Sequence, residues 1–319
     1  HTAYRRQRQM CIRDSSWLGF TYLYTRLRKA PLLYGLDTGD VLADPALDAR
    51  RQLWVTSAAR ILATHGMIRF DEVAGTLHPT SVGRIASRYY LGHETIAIFA
   101  TRLRNGIREA DALDCMSRAT DFAQIPLRDS EEDELTGLQE RVPCQVPGGT
   151  ATAPGKVNIL LQAHISHLFI EDFALVSDAR YVAQNAGRVL QALFELSLDR
   201  GFATAASAFL NLAKSVDKCV WPFEHPLRQY PTLNADVIHR ITMYADDLEV
   251  SQVRALPRAA LASLLRVNER VAGIVQDAAE RFPAIDMTVR ARPLPGDVCR
   301  LDIALRRAFT WDERLHGAT

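Results

Sequence analysis

The chain has 319 residues, 48% hydrophobic and 24% charged, with 38 Lys and Arg against 37 Asp and Glu. That is the balance of an ordinary soluble chain long enough for more than one domain. It argues against a free-standing nucleic-acid binder, whose phosphate contacts require a clear basic excess, so any strand contact is expected to be local and part of something larger.

The cysteines, Cys11, Cys115, Cys144, Cys219 and Cys299, are widely spread and form no CxxC pair, which indicates neither a zinc site nor a disulfide framework. No apolar run approaches the roughly 20 residues of a membrane helix, and the start lacks the apolar core of a secretory signal. A nuclear or cytosolic location is expected, with no membrane partner.

Residues 1–15, HTAYRRQRQMCIRDS, have no amphipathic period, do not begin with Met and resemble translated sequencing-adapter bases, so they are expected to be a non-native leader. Trp17 to Lys29 has helical apolar spacing and stops at Ala30-Pro31. A second helix is expected over 46–65, then a small hairpin in MIRFDEVAGTLHPT, then a third helix in TSVGRIASRYYL. Helix, helix, hairpin, helix is the order of a winged helix, expected over 16–91; Arg84 and Arg88 are too few for a base-reading surface.

Residues 92–230 are helical with polar breaks. Glu132 to Leu138 carries a solvated acidic helix, PGGTATAPG at 147–155 reads as a loop, and KVNILLQAHISHLF follows as a buried helix. The next helix, 175–198, is long. Ala179, Val182, Ala183, Ala186, Val189, Leu190, Leu193 and Phe194 form its burying side. Tyr181, Gln184, Asn185, Arg188 and Gln191 stack along the opposite edge, where an extended polar ligand such as a nucleic-acid strand could lie. The competing reading of Arg188 is an ion pair, with Glu195 or with another helix. A further helix is expected over 204–221, and Arg228 is expected to tie the bundle to its neighbour.

From 231 to 282 short helices broken at Pro231 and Pro257 form a helix-hairpin-like domain. After Pro283 the period becomes two, with strands in MTVRAR and VCRLDIAL and a third expected from Phe309; so few strands over 283–319 give a truncated sandwich.

Catalytic motifs do not emerge. Gly155-Lys156 is followed by Val157 and lacks the spacing of a phosphate-binding loop; Asp312-Glu313-Arg314-Leu315-His316 has one residue too many for an Asp-Glu-x-His box. His164 and His167 lie three apart without a third ligand and read as packed helix histidines. No catalytic, cofactor-binding or metal-ligating residue is assigned, and the fragment alone is not expected to be an enzyme.

Several segments resemble the C-terminal half of a helicase cassette of the Ski2-like, superfamily 2 type, a winged helix followed by a Sec63 unit. They are WLGFTYLYTRLRKAPLLYG (17–35), GRIASRYY (83–90), KVNILLQ (156–162), SDARYVAQNAGRVLQALFE (177–195), LNLAKSVDKCVW (210–221), HPLRQ (225–229) and FTWDERLHG (309–317), in the family's order. The resemblance implies a mainly α fold: winged helix, helical bundle with a ratchet helix, helix-hairpin domain and immunoglobulin-like β-sandwich. It implies a strand of RNA or DNA lying along the ratchet helix, met by Gln184, Asn185, Arg188 and Gln191. It also implies upstream RecA-like motor domains holding ATP and Mg, and other subunits of a helicase complex as partners. Between Thr232 and Phe282 the sequence departs from the family's pattern, which puts strand contact there in doubt.

Overall fold

The computed structural model describes residues 17–317, a mainly helical chain with two small antiparallel sheets. The leader expected at 1–15 lies outside the described residues. Two compact units meet at the Asp217–Lys218 bond.

The first unit opens with helix α1 (Tyr22–Lys29), which starts later than its apolar spacing suggests because the Thr21 side chain caps it by accepting from the Tyr24 amide. Leu27 of α1 meets Leu36 and Leu47 in a small core. After the short α2 (Thr38–Ala43) comes α3 (Asp48–Thr64), and then strands β1 (Ile68–Asp71) and β2 (Thr76–Pro79) pair with Ile68 opposite Pro79. Asp71 accepts from the Ala74 amide and closes that turn, and Thr80 caps α4 (Ser81–Arg88).

Helices α5 (His93–Arg102), α6 (Glu109–Ser117), α7 (Glu132–Gln139), α8 (Ala153–Ile165), α9 (Phe173–Asp199) and α10 (Ala203–Lys218) follow. Helix α8 begins inside the stretch expected to be a loop. Thr152 accepts from the Gly155 amide as its N-cap, and Pro154 sits in the first turn, where its missing N–H is no loss. A Cβ on Gly155 would collide with the Gly149 carbonyl oxygen, so the glycine serves a close backbone approach. At its other end α8 stops at Ile165 and does not run on to Phe169.

Helix α8 is buried almost all round, charge included. Lys156 has no exposed surface, and its ammonium lies 2.5 Å from Glu131, 2.8 Å from Asp178 of α9 and 2.8 Å from the Pro126 carbonyl oxygen. Arg128 bonds the same two carboxylates from the surface side. The family-like GKVNILLQ run is therefore a structural knot between α8 and α9, since an ammonium in a dry interior persists only with such partners.

The second unit is built on Leu227, Tyr230 and Leu233 together with helices α11 (Ala235–Tyr244), α12 (Val250–Ala255), α13 (Arg258–Leu265) and α14 (Glu269–Arg281). Asn234 and Asn268 cap α11 and α14, and Arg266 takes the left-handed conformation at the α13–α14 turn. Arg228, expected to reach a neighbouring element, pairs with Glu224 one turn before it.

Strands β3 (Ile285–Leu294) and β4 (Val298–Arg307) form one hairpin, with Met287 opposite Leu305 and Val289 opposite Ile303. The alternation segregates the apolar side chains onto one face, and among the described residues nothing covers it: Met287 is 64% and Leu305 65% exposed. The third strand expected from Phe309 is not formed. Instead Asp312 caps the short α15 (Glu313–His316), the Thr310 amide donates to the Glu280 carbonyl, and the His316 ring packs on Phe309 and Trp311 while accepting from the Asp312 amide, so this stretch is held to the end of α14 without a ladder.

The Lys156 knot makes a stability prediction. Lys156→Ala leaves Glu131 buried against one fewer cation and should lower the unfolding free energy of the first unit by about 3–5 kcal/mol. Urea denaturation should record this as a lower midpoint, while Glu132→Gln, on the exposed side of the same segment, should stay within about 0.5 kcal/mol of the wild type.

Candidate nucleic-acid interface

Helix α9 runs 27 residues, started by Asp172, whose carboxylate accepts from the Leu175 amide. Leu175, Ala179, Val182, Ala186, Val189, Leu190, Leu193 and Leu196 are buried. Ala183 and Phe194, expected among them, are only partly buried, and Ala192 joins the core.

The polar edge divides into two sets of different fate. Arg188 turns inward. Its guanidinium bonds the Tyr89 carbonyl just past the end of α4, reaches Asp121 at 2.6 Å and meets the Asn185 side-chain oxygen at 3.2 Å. Asp121 keeps only 13% of its side-chain surface exposed. Tyr181 donates to the Asp121 carbonyl at 3.1 Å, and Asn185 donates to the Tyr181 carbonyl at 3.0 Å. This fork satisfies three acceptors from three segments, as a planar guanidinium can and a point-like ammonium cannot.

The expected partner Glu195 is occupied elsewhere. It accepts from Arg88 at 2.9 Å and from the Tyr89 hydroxyl at 2.8 Å, about two helical turns beyond Arg188. Ser81 adds a bond to Asp199 at 2.8 Å, so α4 is tied to α9 along its length. Burial, with the Glu195 hydrogen bond second, holds the Tyr89 phenol above its ordinary pKa and keeps it a donor.

Gln184 and Gln191 face solvent. Reading the helix at three- and four-residue steps, they share a stripe with Ser177, Arg180 and Gly187, headed by Phe173 at 86% exposure. Arg180 forms no ion pair among the described residues, so it is the cation this stripe presents. The stripe was legible in principle: Arg180 lies four residues before Gln184 and eleven before Gln191, a step of whole turns, whereas Asn185 and Arg188 sit one position round the helix toward α4. Only the packing of α4 and the Thr120–Phe122 turn on that side decides which row is outer.

Gly187 adds a second feature. A Cβ placed there would meet nothing within 4 Å, so packing does not require glycine, although glycine in a helix interior costs roughly 0.5–1 kcal/mol relative to alanine. What glycine leaves at this turn is bare backbone open to close approach.

Among the described residues no group of three His, Cys, Asp or Glu could hold a metal ion, and no helix is long and apolar enough to cross a membrane. Residues 79–319 match the family model described as the Sec63 Brl domain. The chain is 34% identical over 304 residues to the U5 small nuclear ribonucleoprotein 200 kDa helicase of Homo sapiens, covering 95% of this chain and 14% of that protein. It is 37% identical over 302 residues to the RQC trigger complex helicase SLH1 of Saccharomyces cerevisiae, covering 94% and 15%. To the Activating signal cointegrator 1 complex subunit 3 of Dictyostelium discoideum it is 34% identical over 308 residues, covering 95% and 14%. These relatives are Ski2-like helicases. The chain thus spans about one seventh of the length of the curated relatives it matches.

The Arg188 fork gives a test independent of any ligand. Arg188→Ala should destabilise the first unit by about 1.5–3 kcal/mol, the worth of hydrogen bonds to a charged group. Arg188→Lys should recover less than half of that loss in thermal or urea unfolding, because one ammonium cannot serve Asp121, Asn185 and the Tyr89 carbonyl at once.

Proposed function

The chain belongs to the Sec63 Brl domain family, and on that footing we propose that it is the non-catalytic C-terminal part of an ATP-dependent Ski2-like helicase cassette, guiding one strand of RNA or DNA along the outer stripe of α9. The observation that carries this reading is the stripe itself. A helix buried or braced on its other sides presents one continuous line of amides, one unpaired guanidinium, an open glycine turn and an exposed aromatic ring. Such a line suits a single strand: glutamine bonds sugar or base, arginine meets phosphate, and an aromatic face stacks a base.

In this role α9 is the ratchet helix. Gln184 and Gln191 contact the strand with Arg180, while Arg188 and Asn185 act behind them as positioning residues. Residues 16–91 serve as the winged helix that braces RecA-like motor domains of the parent protein, where ATP and Mg bind. The helical bundle expected over 92–230 closes the path, and the helix-hairpin part (231–282) and the immunoglobulin-like part (283–319) complete the cassette. Other subunits of a nuclear or cytosolic complex are its protein partners.

One observation favours a second reading, a protein-docking cassette without strand handling: Arg102, Arg104, Arg118, Arg128, Lys156 and Arg188 of the first unit's bundle are all paired with its own carboxylates, which leaves fewer cations for phosphate. Binding separates the two. In the parent cassette, Arg180→Gln should reduce the salt dependence of single-strand binding by about 0.7 in log–log slope, the contribution of one phosphate contact. Gln184→Ala with Gln191→Ala should slow unwinding without altering that slope. Unchanged affinity, slope and unwinding in both variants would leave the docking cassette as the function.

Gly187→Ala provides a further check with opposite signs in two measurements. It should raise the stability of the first unit by about 0.5–1 kcal/mol and at the same time weaken strand binding. A variant that is stabilised and binds as well as the wild type would show that nothing approaches the backbone at this turn.

A further inference from the structure

The second unit carries a groove that the strand-guiding role does not use. It is a cavity of about 480 Å³ between the Pro222–Pro226 segment, the start of α12 and the end of α14. Phe223 forms one wall, 67% exposed and stacked on buried Trp221 with ring centroids 5.8 Å apart. Val250, Phe282 and Pro283 supply apolar surface opposite. The volume lies within the range of sites that hold a small ligand or a large side chain.

Charge at this groove is mostly negative, with Arg254 its one cationic lining residue. Asp246 and Asp247 are exposed on its rim and neither accepts a hydrogen bond nor forms an ion pair among the described residues. The other charged groups around it are already engaged. Glu249 caps α12, Glu224 pairs with Arg228, and the Arg254 guanidinium donates to the Ala308 carbonyl at 2.5 Å. Buried His225 hydrogen-bonds Leu248 and the Leu227 amide through its two ring nitrogens, and burial holds its pKa below the ordinary value, so it adds no positive charge.

We propose that this groove docks a peptide segment of a partner protein through an arginine side chain, its stem and guanidinium plane lying on Phe223 and its N–H groups donating to Asp246 and Asp247. Arginine fits both halves of the site, because it stacks on aromatic faces and bonds carboxylates in a planar fork. The same carboxylates repel phosphate, so nucleic acid and anionic lipid are excluded from this face even in a member of a helicase family. The groove is thereby a protein-binding site on the unit opposite in chemistry to the α9 stripe.

The test is selection from a phage-displayed library of random linear peptides on the full chain, with affinities of the selected peptides measured by fluorescence anisotropy. Selected sequences should carry an arginine beside apolar residues, and replacing that arginine by citrulline should weaken binding about tenfold or more, as loss of one partner of a desolvated charge pair does. The exposed pair Asp246→Asn with Asp247→Asn should weaken binding equally while leaving the circular dichroism and unfolding midpoint unchanged; Phe223→Leu should reduce it with arginine still preferred over lysine less strongly. Peptides without a basic residue, peptides bound equally by the double variant, or no enrichment at all would overturn the proposal. So would displacement by oligouridylate, which would give the groove to nucleic acid, and self-association abolished by the double variant, which would give it to a second copy of the chain.

Discussion

A single guanidinium sets the geometry of the first unit. Arg188 joins the residue just past α4, the Thr120–Phe122 turn and α9, so the leading segment cannot shift along the long helix without breaking bonds to a charged group. Because Asp121 is mostly withdrawn from water, its pairing with Arg188 is screened little by salt, and what it loses in solvation is recovered only while the fork stays whole. The Lys156 knot acts one step earlier on the same helix, through Asp178, and the Arg88–Glu195 pair one step later. These three charged connections hold α9 rigid on the flanks of its buried side, and the adjoining stripe stays bare.

That arrangement explains why a chain so close to electrical neutrality can belong to a family of helicases. Many of its cations are structural: Arg102 and Arg118 both serve Asp114, Arg104 serves Asp111 and Arg128 serves Glu131 and Asp178. Net charge is a poor guide to such a molecule, since what a ligand meets is the residue left over after internal pairing, here Arg180 on α9 and Asp246 with Asp247 on the second unit. On the two proposals, these surfaces differ in sign and so suit different classes of partner.

The elements themselves were largely legible. Period placed α9 within two residues at its start and one at its end, the first hairpin and the two long strands likewise, because amphipathic spacing is a local property. Two failures have physical causes too. Pro154 has the look of a loop residue but is tolerated in a first helical turn, and Phe309 to Trp311 has the period of a strand but bonds the end of α14 through the Thr310 amide and the Glu280 carbonyl. The side-chain roles were not legible in the same way. Arg180 and Arg188 are both arginines on one amphipathic helix, two turns apart and rotated by less than a quarter of the wheel. What separates them is Asp121, which is 67 positions from Arg188 in the chain, and no periodicity encodes a contact of that separation.

A guide differs from a receptor in what its contacts must do. A strand that slides past a fixed surface needs contacts that are weak, alike at each step and indifferent to base identity; a row of arginines would hold phosphates too firmly and make each step a salt-dependent dissociation. In the strand-guiding role proposed for α9, glutamines separated by two turns with a bare glycine between them, and only one unpaired cation, would give a shallow potential along the helix instead. Rigidity then has to come from behind the surface, since a flexible helix would follow the strand and not constrain it. The inward placement of Arg188, with the strongest bonds on the side away from solvent, is what such a division of labour requires.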